Sequence, residues 1–117
     1  MDKDIYVECL VHFTCNTNQM CLWNLKDSRP NFFDIACAKK RKIIEFNGDY
    51  WHANPELYEA SDLVGMGEKS KASDVWLKDN SKIDNAEARG YAVFVVWEKD
   101  WKEDPEEVLN KVEEFWK

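Results

Sequence analysis

The sequence has no long hydrophobic run, no internal repeat and no low-complexity tract, and each absence excludes a class of protein. No stretch approaches the roughly 20 apolar residues that would cross a bilayer, so no membrane-spanning helix is expected. Residues 1–4 lack the basic and then apolar layout of a secretory signal. We therefore expect an intracellular, cytoplasmic protein without a membrane partner.

Basic charge is scarce as well, because the 16 Lys and Arg residues are outnumbered by 23 Asp and Glu residues, which gives a formal net charge of −7. Nucleic-acid binders normally present a basic surface to phosphate, so one is disfavoured here unless a cation offsets gathered acids. The main basic cluster is Lys39, Lys40, Arg41 and Lys42, which we place at the tip of a hairpin. Phosphate contact and a solvated surface are both open interpretations of it.

The four cysteines carry one pattern that resembles a metal site, namely Cys9, His12, Cys15 and Cys21. This C-x2-H-x2-C-x5-C spacing has zinc-ligand residue types but lacks a paired C-x2-C knuckle. An extended segment would also direct His12 away from Cys9 and Cys15. We therefore favour buried thiols and keep a zinc site as the alternative.

The chain length suits one domain that spans residues 1–117. Hydrophobic patterning, breakers and caps predict strands over 5–14, 21–25, 32–37, 42–47 and 91–97, and helices over 73–89 and from 104 onwards. The breaker cluster at 27–31 and the stretch 53–71 are predicted loops. We expect an α/β fold of the mixed α+β kind, with a small central mixed β-sheet flanked by helices.

The richest chemistry lies in residues 43–52, where an apolar run ends in acids, an amide and a histidine. Strand alternation places Glu45, Asn47 and Asp49 on one side, and hairpin pairing brings Asp34 next to Glu45. Desolvating unpaired carboxylates costs several kcal/mol, so these acids predict a divalent-metal site. The alternative is an exposed sheet edge that carries surface acids.

A histidine and a helical aspartate add to this pattern. Trp76, Asp79, Asn80 and Ile83 share one helix face at the i, i+3, i+4, i+7 spacing, so Asp79 is expected to point inward. There it can orient His52, as proton transfer at neutral pH requires. The alternative for His52 is a packed ring that donates to a backbone carbonyl.

The chain resembles the very-short-patch-repair-like endonucleases, which include phage and intron-encoded homing enzymes with an E-D-x-H-D motif. The resemblance rests on Asp34 and on the segments IIEFNGDYWHANP (43–55), WLKD (76–79) and GYAVFVVWE (90–98). It runs from about residue 31 to residue 116 and implies a PD-(D/E)XK restriction-endonuclease-like fold. It also implies a Mg²⁺-dependent DNA endonuclease in which Mn²⁺ can substitute.

The resemblance implies roles for matching residues only. Asp34 would be the principal metal ligand, with Glu45 and the backbone around Phe46 completing the shell. His52 would take a proton from the attacking water, and Asp79 would orient it. The opening Glu of the motif has only Glu8 as a match, in a predicted strand rather than on a helix.

Further positions bear on DNA and zinc. Tyr50 and Trp51 fall where the repair enzymes wedge rings between base pairs, although core packing is the alternative for both. Asn47 stands in place of the superfamily's usual lysine and is a candidate DNA contact. No structural zinc is expected, since the family's zinc ligands are replaced by Asp49, Asn54 and Glu56.

Three functional interpretations follow. The leading one is a phage or mobile-element, homing-type or repair-like endonuclease. It would take its specificity from a separate DNA-recognition domain, a partner or a homodimer, and the chain would be part of a longer protein. The second is an inactive nuclease-like module that binds DNA or protein. An HNH-type nuclease is third, because the strand-rich context of His52 does not resemble its ββα-metal turn.

Overall fold

A computed structural model describes residues 20–117. The predicted strand over 5–14, the candidate Glu8, and Cys9, His12 and Cys15 of the cysteine–histidine pattern lie outside the described residues. Among the helices in the described part, none is both long enough and apolar enough to cross a membrane.

The described residues form a mixed α+β domain with three small sheets and three α-helices. The strands are β1 (Met20–Asn24), β2 (Arg29–Phe33), β3 (Ile35–Cys37), β4 (Lys42–Asn47), β5 (Leu63–Val64), β6 (Ser70–Lys71) and β7 (Ala92–Trp97). The helices are α1 (Ala72–Ala88), α2 (Glu98–Glu103) and α3 (Pro105–Trp116), with a 3₁₀ turn at Met66–Glu68.

The central sheet has the order β3-β4-β7 and is mixed, as the sequence predicted. β3 pairs antiparallel with β4 through the predicted turn at 38–41, and β4 pairs parallel with β7. Helix α1 belongs to the crossover between these two parallel strands, which is the usual way to connect them. β1–β2 and β5–β6 are separate antiparallel pairs.

Alternation along β4 separates its two faces. Ile44 and Phe46 pack with Val108 and Val112 of α3, and Trp116 closes this core. Helix α3 begins as predicted, because the Asp104 side chain accepts a hydrogen bond from the Glu107 N–H at 3.1 Å. The opposite face of β4, which carries Ile43, Glu45 and Asn47, turns towards α1.

Helix α1 is fixed to the β1–β2 hairpin by a buried polar network. The Asn24 amide donates to Ser81 Oγ at 3.1 Å and to Asn31 Oδ1 at 2.9 Å. Ser81 Oγ in turn donates to Asp27 Oδ2 at 2.7 Å. A satisfied network of this kind fixes the rotation of a helix more sharply than apolar packing does.

The predicted strand over 32–37 is wrong in one respect, because the chain breaks at Asp34 into β2 and β3. The 27–31 breaker cluster is likewise not all loop, since Arg29 begins β2. The near-continuous apolar run over 91–97 is typical of a strand buried on both faces, but β7 is mostly half-buried, so that interpretation is wrong.

The helix ends give mixed outcomes. α1 begins at Ala72 and ends at Ala88, within one residue of the predicted range 73–89, and Gly90 follows its last turn with φ +90°. The short helix α2 was not predicted. Cys37 is disulfide-bonded, which corrects the expectation of a thiol, while Cys21 is a free, exposed thiol.

Candidate active site

Two hydrogen bonds from backbone N–H groups connect Asp34 and Glu45. The Asp34 N–H donates to Glu45 Oε1 at 2.9 Å, and the Phe46 N–H donates to Asp34 Oδ2 at 2.9 Å. The break between β2 and β3 makes this possible, because Asp34 is released from regular strand pairing. The structure therefore brings together the two acids that hairpin pairing predicted to meet.

Lys82 of α1 completes this group, and sequence reasoning missed it. Its Nζ donates to Glu45 Oε2 at 2.8 Å and lies 4.9 Å from the centre of the Phe33 ring. The spacing from Asp79 to Lys82 is i to i+3, which places both on adjacent parts of one helix face. That spacing was the available signal, but a single lysine on a helix is more often a solvated surface residue.

Glu45 is an unusual carboxyl group because its side chain is only 8% exposed. Burial raises its pKa, and the nearby negative charge of Asp34 raises it further. The ammonium of Lys82 and the Asp34 N–H lower the pKa but do not outweigh burial and the Asp34 charge together. The group thus has the perturbed titration that is common at functional sites.

His52 and Asp79 form the second polar pair. His52 Nδ1 and Asp79 Oδ2 are 2.9 Å apart. Because a carboxylate only accepts, this contact places the ring proton on Nδ1 and leaves Nε2 as the basic nitrogen. The turn after β4 positions the ring, since the His52 N–H donates to the Gly48 carbonyl at 3.1 Å.

Two adjoining cavities join the pairs into one site. A narrow cavity of about 20 Å³ touches Glu45 and Lys82 as well as His52 and Asp79. A larger one of about 280 Å³ continues from His52 and Asp79. Asn47 lines both cavities, so the cationic, acidic and imidazole groups face a shared space. The larger cavity is lined by Asn47, His52, Pro55, Trp76, Asp79, Asn80, Ile83, Val95 and Trp97.

The donor set fits a weakly chelated hard cation. Residues 20–117 contain no cluster of three or more His, Cys, Asp or Glu side chains arranged to hold a metal. Mg²⁺, however, is often held by one or two carboxylates plus waters and substrate phosphates. Asp34 Oδ1 makes no hydrogen bond to the described residues, whereas both Glu45 oxygens are engaged. Asp34 is therefore the stronger ligand candidate of the two.

The predicted wedge residues differ in their surroundings. Tyr50 is half-buried, its hydroxyl donates to the Gly65 carbonyl at 3.0 Å, and its ring packs edge-on against Tyr58. Trp51 is 56% exposed. The geometry therefore gives Tyr50 a packing role and leaves Trp51 available for contact with a partner.

The basic cluster lies at the hairpin turn, as predicted, but part of it contacts the fold. Lys40 Nζ donates to the Trp116 carbonyl at 3.0 Å, and Arg41 donates to the Arg89 carbonyl at 3.1 Å. Lys39 is exposed. These contacts fix two of the cations at the edge of the domain remote from the carboxyl end of β4.

The segment of Asp49, Asn54 and Glu56, where no structural zinc was expected, forms a hydrogen-bonded turn. Asn54 is buried, and its amide donates to Asp49 Oδ1 at 2.9 Å. Asp49 Oδ1 also accepts from the Lys99 N–H at 3.2 Å, which connects the turn to α2. Ordinary hydrogen bonds thus hold the turn that carries His52.

No protein-family model matches the chain, and no curated protein or solved structure matches it significantly.

Proposed function

We propose that this protein is a Mg²⁺-dependent DNA endonuclease of the PD-(D/E)XK type. The observation that carries the proposal is the placement of the Glu45–Lys82 and His52–Asp79 pairs around one shared space at the end of β4, with Asp34 hydrogen-bonded beside Glu45. Paired acids, a nearby cation and an oriented imidazole are the groups that phosphodiester hydrolysis uses.

Each side chain has a chemical role in this proposal. Asp34, assisted by Glu45, would hold the metal ion, which supplies Lewis-acid stabilisation of charge on the phosphate. Lys82 provides a positive charge beside Glu45, where it would help to stabilise charge on the phosphate. His52 Nε2 accepts a proton from the attacking water, and Asp79 fixes the ring and stabilises its protonated form.

The proposal also covers the partner and setting. Trp51 is an exposed ring near His52 that could contact DNA, and Lys39 is an exposed cation of the hairpin turn without a hydrogen bond or ion pair to the described residues. Target selection would come from a separate recognition domain, a partner or a homodimer, because the acidic chain has little basic surface. We place the activity in the cytoplasm, that of the host if the protein is phage-encoded.

Cleavage of supercoiled plasmid in Mg²⁺ or Mn²⁺ tests the proposal. We expect Asp34→Asn and His52→Gln each to reduce cleavage by about 10²-fold or more, the usual contribution of a metal ligand or a general base. Asp84→Asn is the matched control, since Asp84 is an exposed acid on α1 outside the shared space. The control should cleave like the wild type.

Two results would redirect the assignment. Intact plasmid at any protein excess, with DNA still bound, favours the nuclease-like binding module. Cleavage that survives both Asp34→Asn and His52→Gln refutes the site while leaving an activity to be explained. An HNH-type mechanism would also depend on His52 but not on Asp34.

A further inference from the structure

Asn47 has a buried side-chain amide without a described hydrogen-bond partner. The residue is only 6% exposed, yet no side-chain hydrogen bond joins its amide to any of the residues 20–117. No amide atom is sealed from solvent, because the side chain lines the two cavities. Because its polar atoms are open to the cavities and have no described protein partner, the amide is available to a ligand.

The walls of the 280 Å³ cavity show what kind of ligand fits. Trp76 and Trp97 contribute flat aromatic surface, while Ile83 and Val95 contribute aliphatic surface. The Trp76 ring is held in place, since its indole N–H donates to the Ala53 carbonyl at 2.6 Å. A largely apolar space that Asn47 and Asn80 also line suits a flat molecule that has hydrogen-bonding groups on its edge.

We infer that this cavity binds one nucleobase of the DNA strand, displaced from the stack beside the phosphate that is cleaved. The inference rests on the proposed endonuclease function and adds a base-reading site to it. The Asn47 amide offers one acceptor and two donors to the edge of the base, and the indole and aliphatic walls contact its faces. His52 and Asp79 line the same cavity, which places the bound base next to the reacting phosphate.

A base explains this site better than a sugar does. A deoxyribose ring has few groups that match side-chain amides and no flat face for the indoles. A base presents donors and acceptors in one plane, and its faces bury well against aromatic rings. The cavity therefore lets the enzyme recognise one base of the DNA strand although the protein lacks a basic recognition surface.

Binding of free deoxynucleosides tests the inference without metal, phosphate or cleavage. The four deoxynucleosides are titrated into ¹⁵N-labelled full-length protein in EDTA, with deoxyribose as the baseless control. We expect saturable shifts of the Asn47 side-chain amide and Trp97 indole signals with at least one nucleoside and none with deoxyribose. No saturable shift with any nucleoside overturns the inference and leaves cavity water as the partner of the amide.

Asn47→Leu separates a ligand role from a structural one. Because the amide has no described protein partner, we expect an unchanged or higher urea midpoint together with nucleoside binding weakened at least about tenfold, the effect of one lost hydrogen bond. A lowered midpoint would mean that the amide supports the fold, which overturns the inference. Leu77→Ala, an exposed change on α1, is the control and should bind normally.

The plasmid assay distinguishes this failure from that of the proposed function. Plasmid cleavage without nucleoside binding refutes the base-reading cavity and keeps the endonuclease. Nucleoside binding that requires Asn47, without cleavage, supports the cavity and refutes the endonuclease.

Discussion

Removal of the Lys82 ammonium leaves the Glu45 carboxylate buried without its cation, and an upper limit can be set on the resulting loss of unfolding free energy. Breaking a buried ion pair by removing one partner generally destabilises a protein by about 3–5 kcal/mol. Glu45 can escape this penalty by taking up a proton. Protonating a carboxyl with the ordinary pKa of 4.5 at pH 7, about 2.5 pH units above that pKa, costs about 3.4 kcal/mol at 1.36 kcal/mol per unit. We therefore expect Lys82→Met to reduce the free energy of unfolding by up to about 3 kcal/mol at pH 7.

The loss of unfolding free energy caused by Lys82→Met should be smaller at acidic pH. Burial already raises the pKa of Glu45 in the folded protein, and removal of Lys82 raises it further. The folded state then holds a proton that the unfolded chain releases, so folding becomes more favourable as the pH falls from 7 towards 4.5. At pH 5 the same arithmetic leaves only about 0.7 kcal/mol of penalty.

Urea unfolding followed by tryptophan fluorescence in EDTA at both pH values measures this. Lys78→Met, an exposed change one turn earlier on α1, is the control and should lose little at either pH. Adding Glu45→Gln to Lys82→Met should recover most of the stability. Equal losses at pH 5 and pH 7, or no recovery in the double variant, would refute the assignment of Glu45 as the charge that Lys82 compensates.

Three further predictions follow from the structure. Asp79→Asn should lower plasmid cleavage by at least about tenfold, because the carboxylate no longer orients the His52 ring; cleavage at the wild-type rate contradicts this role. Gly90→Ala should reduce unfolding free energy by about 1–2 kcal/mol in urea, since φ is +90° and the added Cβ meets only an ordinary contact, so the loss comes from backbone strain alone. Trp51→Ala should weaken DNA binding in a gel-shift assay without lowering the urea midpoint, because more than half of the side chain is already exposed; a lowered midpoint would instead identify it as a packing residue.

Part of the site could be predicted from local patterns. Alternation along β4 put Glu45 and Asn47 on one face, and helical spacing turned Asp79 inward, where it meets His52. Both are short-range rules that depend on residues close together in the chain. The hydrogen-bonded β3–β4 hairpin brought Asp34 to Glu45 for the same reason.

The remaining features depend on long-range packing. Lys82 and Glu45 are 37 positions apart in the chain, so their contact depends on the position and the rotation with which α1 packs on the sheet. The break at Asp34 could not be read from an apolar segment that continues through it. β7 reads as a fully buried strand because it is apolar throughout, yet it is only half covered in the fold.

The buried contact between Asn24 and Ser81 has a consequence for the chemistry, because Ser81 directly precedes Lys82 on α1. Each residue advances an α-helix by about 100°, so a one-residue slip of α1 would swing Lys82 and Asp79 away from their partners together. The β1–β2 hairpin thus fixes the positions of both polar pairs. Loss of the Asn24–Ser81 contact should therefore disrupt the Lys82–Glu45 and His52–Asp79 contacts together rather than one after the other.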